Sequence, residues 1–518
     1  MNKSKKRSKF VSVLVYNRLF LLALALIMQG FIFFSFIKWL TPYITYYFGG
    51  SVVVFAAFFI YLANRKGKIE FRVAWLLPTI IAPVFGIFLY IVYHLNRGGL
   101  WLKRELNLAK QKNVPYFKAD LENNVYTPDM RSQDLAAYLK STSNYPAYKD
   151  CRLTFLDSGE IFFDDFLLQI EQAQKFIFIE FFIIYPDSAF EKMIEALKHK
   201  VDQGVEVRMM FDAFGSTTLA TKRNLKYLRS LGIHAEIFLP VIPVFATHQN
   251  NRDHRKIVVI DNRIAYTGGV NVADEYFNYI HPRFNYWKDT AVRLEGPSVK
   301  TFTGMFLENW NITVRKKDRS ESFDFFFNQD TGSFPSQSVV IPYGDEAPND
   351  EDIAENVYKY ILGKATKYVH ITSPYFIVDS SLTEALCFAA RRGIDVKIIV
   401  PAKHDHFITF CLGRLFLKTL IDNGIEVYEY TPGFIHAKEF ISDDSFATIG
   451  SVNLDYRSLY HHFECGVFME NDPAIASMEQ DFQDTLKDSH QITAQEYKKI
   501  PARIKLIGFL FKVFAPLM

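Results

Sequence analysis

Apolar positions along this chain follow two rhythms, and the change between them divides it. In the N-terminal part they run unbroken: the stretches 19–37, 44–63 and 73–93 contain no charged side chain. Each is about 20 residues long, the length at which a helix spans the hydrocarbon layer of a bilayer. The pattern predicts N-terminal hydrophobic transmembrane helices at 19–37 and 44–63 within a membrane region 1–95, with 73–93 as a third hydrophobic segment. A secretory signal would hold one shorter apolar core with no further apolar stretches behind it, so that reading is excluded.

Basic residues suggest an orientation for these segments. Lys3, Lys5, Lys6, Arg7 and Lys9 precede the first stretch, Arg65, Lys66, Lys68 and Arg72 follow the second, and only Lys38 lies between the two. The first two stretches are therefore expected to form a hairpin whose tip faces outward. The third has basic flanks on both sides, since Arg97, Lys103 and Arg104 follow it, and it holds Pro78, Pro83 and Gly86, which oppose a straight helix. It is expected to re-enter rather than span, leaving the remainder of the chain in the cytoplasm.

Beyond residue 95 the rhythm shortens. Residues 96–149 are polar and mixed, and read as a linker with some helix. From Cys151 onward, short apolar runs such as KFIFIE (175–180) and VEVRMMFD after Gly204 alternate with charged, helix-periodic segments such as 190–201. That order predicts an α/β fold whose sheet is at least partly parallel.

The pattern occurs twice. KFIFIEFFIIYPDS from Lys175 resembles KYVHITSPYFIVDS from Lys367, and QGVEVRMMF from Gln203 matches RGIDVKIIV from Arg392. LGIHAEIFLP from Leu231 likewise matches NGIEVYEYTP from Asn423, after which the first copy carries an insertion near VIPVFATHQN. The expected organisation is two tandem α/β repeats, 150–315 and 340–490, followed by an amphipathic C-terminal tail over 491–518.

The polar residues that break these runs recur at equivalent places. His254, Lys256 and Asp261 precede Gly268-Gly269-Val270-Asn271, giving a motif over 254–271. His436, Lys438 and Asp443 precede Gly450-Ser451-Val452-Asn453, giving its counterpart over 436–453. On an extended strand residues i and i+2 face one side, so each His and Lys point together. The glycine turn can bring backbone N–H groups and the Asn amide close to an anion.

Two His, two Lys and two Asn around one pocket suit phosphoryl transfer by covalent catalysis, with neither metal nor cofactor. One imidazole attacks phosphorus, the other protonates the leaving oxygen, and Lys and Asn hold the non-bridging oxygens. Each imidazole calls for an acidic partner. Aligning WKDTAVRLE from Trp287 with HFECGVFME from His462 pairs Asp289 with Glu464, though either could be a solvated strand residue. Asp261 and Asp443 belong to the catalytic motif, yet five residues past Lys they fall beyond the strand end and read more readily as salt-bridge or turn residues.

Composition narrows the classes. With 59 Lys plus Arg against 56 Asp plus Glu the chain carries +3, which excludes a nucleic-acid binder working by bulk charge. Hydrophobic residues at 49% of 518 exclude a disordered chain. Cys151, Cys387, Cys411 and Cys465 lie far apart without a CxxC, against a zinc site or a disulfide scaffold.

These residues resemble the duplicated HKD signature of the phospholipase D superfamily, and with the N-terminal apolar segments they resemble the bacterial cardiolipin synthase family. The likeness is carried by FRVAWLLPTIIAPVFGIFLY, NRDHRKIVVIDNRIAYTGGVNVADEY, WKDT, SPYF and GFIHAKEFISDDSFATIGSVNLDYRS. It implies two phospholipase D-like repeats forming one pseudo-two-fold catalytic unit, in a multi-pass protein of the bacterial cell membrane. It implies a metal-independent transfer in which two phosphatidylglycerol molecules yield cardiolipin and glycerol, with no nucleic acid and no obligate protein partner.

His254 would form the phosphohistidine while His436 acts as acid and then base, although the motif symmetry leaves that order open. Gly269 stands where the second copy has Ser451, and His462 stands where the family pattern has Asn. A lipid hydrolase or another phosphatidyltransferase such as a phosphatidylserine synthase fits the same motif. A nuclease fits the apolar segments poorly, and a non-catalytic membrane scaffold fits two intact motif sets poorly. The tail IKLIGFLFKVFAPLM from Ile504 suits either the headgroup layer or packing on the domain itself.

Overall fold

The computed structural model describes residues 27–32, 34–35, 44–94, 97–122, 130–240, 250–280, 284–320, 322–347 and 351–517. The chain divides into two compact units, residues 1–96 with 241–249 and residues 97–240 with 250–518. The basic residues before position 10, Lys38, and most of the stretch 19–37 lie outside the described residues.

The first unit holds helices α1 (Ile44–Asn64), α2 (Ile69–Ile81) and α3 (Pro83–His94). The expectation of N-terminal transmembrane helices is corrected here: among the described residues no helix is long and apolar enough to cross a membrane. The sequence gives the reason in each case. In α1 the first third is Thr45, three aromatics, Gly49, Gly50 and Ser51, so the continuous apolar run begins only at Val52. The stretch 73–93 is two short helices rather than one. Ala82 leaves helical geometry at φ −143°, and Pro83 starts the next helix where its missing N–H costs nothing. Gly86 then lets α3 approach α2 closely, because a Cβ there would lie 2.6 Å from the Thr79 Cα. Tyr90 packs edge-on against Phe58 and Trp75, tying the three helices together.

The second unit contains the two repeats. The first has β1 (Arg152–Leu156), β2 (Phe176–Phe181), β3 (Glu206–Asp212), β4 (His234–Phe238), β5 (Lys256–Ile260), β6 (Ile264–Gly268), β7 (Trp287–Lys288) and β8 (Ala291–Glu295). The second has β9 (Val339–Glu346), β10 (Tyr368–Thr372), β11 (Phe376–Ile377), β12 (Asp395–Pro401), β13 (Glu426–Tyr430), β14 (Phe434–Ile435), β15 (Glu439–Ser442), β16 (Phe446–Gly450), β17 (Leu454–Asp455), β18 (Phe463–Glu470) and β19 (Ser489–Gln491). The sheets run β1-β8-β6-β5-β2-β3-β4 and β9-β18-β16-β15-β10-β12-β13-β19, the same order with one strand added. In each, three neighbouring strands pair in parallel and the motif strand joins them antiparallel.

The central strands are apolar on both faces because both faces are covered. In β2, Ile177, Ile179 and Phe181 pack against the helix Gly159–Gln172 through Phe162, Phe163 and Phe166. Phe176 and Phe178 turn the other way, toward the helix Val299–Thr313, where Phe178 stacks on Phe306 with centroids 4.3 Å apart. That helix is buried nearly all round, within a cluster that also takes Phe440 and Ile441 of the second repeat.

The segment read as a linker with some helix begins with a long helix that packs into the core. Residues Arg97–Glu122 form one helix whose Leu102, Leu106, Ala109 and Phe117 belong to this same core. Their spacing is helical, but Lys, Arg and Gln between them dilute the apolar signal. In the tail, the helix Ala502–Lys512 packs on Phe407–Asp422 through Gly508, where a Cβ would lie 2.5 Å from the Cys411 carbonyl.

Candidate active site

Both histidines sit just before the motif strands, and both are held by the other repeat. The His254 N–H donates to the Phe463 carbonyl at 2.9 Å, and the His436 N–H to the Lys288 carbonyl at 2.7 Å. The short pair β7–β14 and the bridge Asp253–Phe463 make this crossing symmetrical. The carboxylates cross as well. His254 Nδ1 lies 2.9 and 3.0 Å from the two oxygens of Glu464, and His436 Nδ1 lies 2.6 Å from Asp289 Oδ2. Asp289 and Glu464 are thus fully buried partners of the imidazoles, not solvated strand residues, and each serves the histidine of the opposite repeat. With Nδ1 engaged, Nε2 is the nitrogen left for chemistry in both rings.

Burial sets the charge states. It pushes His254 down to about 4, against the pull of Glu464, and pushes His436 down to about 4 with help from Lys438. Desolvation also lowers Lys256 to about 8 and Lys438 to about 7. Burial alone would raise the Glu464 carboxyl, but His254 and His462 hold it well below the usual carboxylate range. The charge of Lys438 is felt at His254 and that of Lys256 at His436, so the two motifs form one electrostatic centre. Lys256 Nζ donates to the His254 carbonyl at 2.6 Å, while Lys438 Nζ reaches both the carbonyl and Nδ1 of His436, the latter at 2.9 Å.

Asp261 and Asp443, the motif's acidic residues, lie in the turns after the motif strands. Five residues along an extended strand put Asp261 about 17 Å from Lys256. There it accepts three backbone N–H groups, from Gln174, Lys175 and Phe176, at 2.7–2.8 Å. Asp443 does the same for Thr366, Lys367 and Tyr368. Both sit at positive φ, 53° and 56°, in the turn after the motif strand. They fasten the start of β2 and β10.

The glycine turns also differ from their expected role as anion cradles. The Gly269 N–H donates to the Thr290 carbonyl and the Ser451 N–H to the Cys465 carbonyl, so both are spent within the sheet. Gly269 is needed for space, because a Cβ would overlap Asp289 Oδ1. Ser451 instead donates its hydroxyl to Glu464 Oε2. Asn271 accepts from the Ile183 N–H at 3.0 Å and donates to Tyr276, which makes it a brace for the loop after β2. Asn453 is buried, and its Oδ1, an acceptor, has no hydrogen-bond partner.

Three residues beside the histidines were not singled out from sequence for a role. Trp287 lies against His436 and His462 against His254, each with ring centroids 5.3 Å apart. The alignment that pairs Asp289 with Glu464 also pairs these two, and was the signal available. Arg255 is fully buried, donating to Glu346 at 2.5 Å and to the Glu464 carbonyl at 3.2 Å. Its counterpart is Ala437, so symmetry does not reveal it. Among the described residues, His254, His462 and Glu464 are also the one set with metal-ligand spacing.

Comparison with known proteins agrees with this geometry. Residues 166–308 and 358–486 match the family profile described as cardiolipin synthase, phospholipase D-like domain. Cardiolipin synthase 2 of Staphylococcus epidermidis is 31% identical, over 90% of this chain and 96% of its own length. A cardiolipin synthase of Staphylococcus aureus is 30% identical, over 90% and 94%. An uncharacterised protein of Streptococcus mutans is 40% identical, over 89% and 99%. Among solved structures, a phosphatidylserine synthase of Haemophilus influenzae superposes with a TM-score of 0.54 at 16% identity, covering 71% of this chain and 95% of that one. That last likeness concerns the fold alone.

Proposed function

The chain belongs to the cardiolipin synthase family with its phospholipase D-like domains, and from that membership we infer how the two repeats share one phosphatidyl transfer. The activity is cardiolipin synthesis, carried by a phosphatidyltransferase. The substrates are two phosphatidylglycerol molecules and the products cardiolipin and glycerol.

His254 Nε2 attacks the phosphorus of the first phosphatidylglycerol. The N–P bond forms, the bond to the glycerol oxygen breaks, and His436 delivers the proton that lets glycerol leave. His436, neutral in the empty site, gains that proton when the anionic phosphodiester enters beside it. It then removes the proton from the primary hydroxyl of the second phosphatidylglycerol. The new P–O bond forms, the N–P bond breaks, and His254 is restored. Lys256, Lys438 and Asn453 stabilise the non-bridging oxygens as charge builds on them.

The observation that carries this reading is the crossed pairing of His254 with Glu464 and of His436 with Asp289. Each carboxylate fixes the Nδ1 tautomer and orients the ring, which is what a nucleophile and an acid–base group both need. The two-oxygen hold of Glu464 on His254, where Asp289 gives His436 one oxygen, and the nearness of Lys438 to His436 Nδ1 support His254 as nucleophile.

We place the reaction at the bacterial membrane surface, with the catalytic repeats on the cytoplasmic side. Supporting this are the exposed Val52, Val53, Ile60, Ile80, Ile81 and Phe88 of the first unit, together with the basic run at Arg65, Lys66 and Lys68. A single cysteine at the exposed Gln111, near Lys110, in a cysteine-free chain should resist an impermeant thiol reagent until cells are opened.

The decisive test follows labelled phosphatidylglycerol in bilayers, with excess chelator present. Cardiolipin plus glycerol is the expected outcome. Phosphatidic acid plus glycerol would make the chain a hydrolase, and a requirement for an added divalent ion would remove this mechanism.

A further inference from the structure

The two histidines of the centre do not have equivalent neighbours, and the difference creates a second kind of site. Beside His436 stands Trp287, whose ring offers no metal-ligand nitrogen. Beside His254 stands His462, an imidazole 93% buried whose Nδ1 makes no well-formed hydrogen bond. That nitrogen is only loosely paired with Glu464, lying 3.5 Å from Oε1, while His254 Nδ1 lies 2.9 Å from the same oxygen. One ligand atom from each of the three residues falls within 4.8 Å of the other two. A tetrahedral zinc ion with bonds of about 2.0–2.1 Å holds its ligand atoms roughly 3.3 Å apart, so a pair at the 4.8 Å limit would close by about 1.5 Å to bind one.

We propose that His254, His462 and Glu464 form an inhibitory zinc site that shuts down one half of the catalytic centre, an inference that rests on His254 being the nucleophile. Zinc takes the Nδ1 lone pair of both imidazoles and one oxygen of Glu464, leaving the fourth position to water. The Nδ1 proton of His254 moves through solvent to Nε2, and its hydrogen bond to Glu464 is replaced by the metal. His254 Nε2 then carries a proton where its lone pair stood and cannot attack phosphorus. Lys256 and Lys438 oppose the cation, Lys256 most directly because its ammonium rests on the His254 carbonyl. The site is therefore expected to sense zinc rather than to hold it permanently. The half around His436 and Asp289 has no counterpart, because Trp287 occupies the equivalent position.

The test uses the full chain in phosphatidylglycerol vesicles after chelator treatment, with zinc or cobalt added alone. The wild type should bind one equivalent of cobalt with the visible absorption of a tetrahedral centre, lose cardiolipin synthesis as zinc is added, and recover it with chelator. In H462N the cobalt absorption should vanish. Its inhibitory zinc concentration, measured against its own zinc-free rate, should rise about 100-fold or more, since a direct ligand contributes at least what an outer-shell partner does.

Equal zinc sensitivity in H462N and wild type overturns the proposal. H436N gives a second measurement that does not depend on the folding of H462N: its cobalt absorption should persist, and loss there would put the metal elsewhere. A wild type that binds cobalt through His462 while cardiolipin synthesis is unaffected refutes the inhibitory role. A wild type that binds cobalt through His462 yet makes no cardiolipin with or without metal supports the site and refutes the catalytic reading instead.

Discussion

The surroundings of His254 and His436 are built on the same backbone and furnished differently. Around His436 the carboxylate is the short Asp289, which lies so near the following turn that only Gly269 fits. Around His254 it is the longer Glu464, set back far enough for Ser451 to stand beside it and donate to Oε2. Glu464 places both oxygens on its histidine, whereas Asp289 gives one to His436 and the other to the Thr290 N–H. Lys438 also comes within 2.9 Å of His436 Nδ1, while Lys256 bonds only the carbonyl of its histidine. A symmetric motif thus contains one imidazole facing two carboxylate oxygens and one held by a single, shorter contact with a lysine beside it, and the division between nucleophile and acid–base catalyst is read from that difference.

Replacing the histidines themselves should separate the halves most widely. H254A should abolish both turnover and the trapped phosphoenzyme. H436A should slow turnover by about 100- to 10,000-fold, the range of a lost general acid, and still permit trapping. A phosphoenzyme that survives H254A and disappears with H436A would reverse the roles.

The turns should come next, and in an order that the motif alone does not suggest. G269S drives a side chain into Asp289 and displaces it from His436, with an expected loss of about 100-fold or more in kcat. S451A removes one charge-assisted hydrogen bond from Glu464, worth about 1.5–3 kcal/mol at most, and should cost roughly tenfold. Equal effects would mean that Gly269 does not mark a steric limit.

A smaller effect lies in the pH profile. Lys438 and Lys256 must be charged to stabilise phosphate oxygens, and burial lowers them to about 7 and about 8. As pH rises through that interval the protons are lost, so kcat/KM should fall on its alkaline side. K438R keeps its charge and should move that limb upward by about one pH unit. An unmoved limb would show that Lys438 does not govern it.

The smallest effect on catalysis belongs to Asp261. D261N keeps a residue that tolerates positive φ but loses a carboxylate that accepts three N–H groups. Stability should drop by about 1–3 kcal/mol by denaturant titration, with kcat of the folded enzyme essentially unchanged. A large kcat loss at full folding would return Asp261 to the chemistry.

The repeat, the His-Lys spacing and the Asp289–Glu464 pairing were legible because each lies within one strand or between two aligned ones, where periodicity speaks directly. The crossing of the carboxylates was not, since it depends on β7 meeting β14, a contact between distant segments that leaves no periodic trace. Gly269 illustrates a different blindness: the sequence gives a small residue, and only the position of Asp289 says that smallness, not flexibility, is what is needed. In the N-terminal unit the absence of charge suggested spanning helices, whereas among the described residues no helix is long and apolar enough to cross a membrane, and Ala82 and Pro83 break the third stretch in two. Helix Arg97–Glu122 reads as part of a linker for the opposite reason, its buried positions being outnumbered by polar ones.

Trp287 and His462 occupy equivalent positions, and that they differ follows from the two repeats sharing one polypeptide. In a homodimer made from a single copy, every substitution would appear on both sides of the dyad at once. Such an assembly could never put tryptophan beside one histidine and histidine beside the other. Covalent duplication releases the sides from that constraint, so the fusion of the two copies is what permits them to specialise.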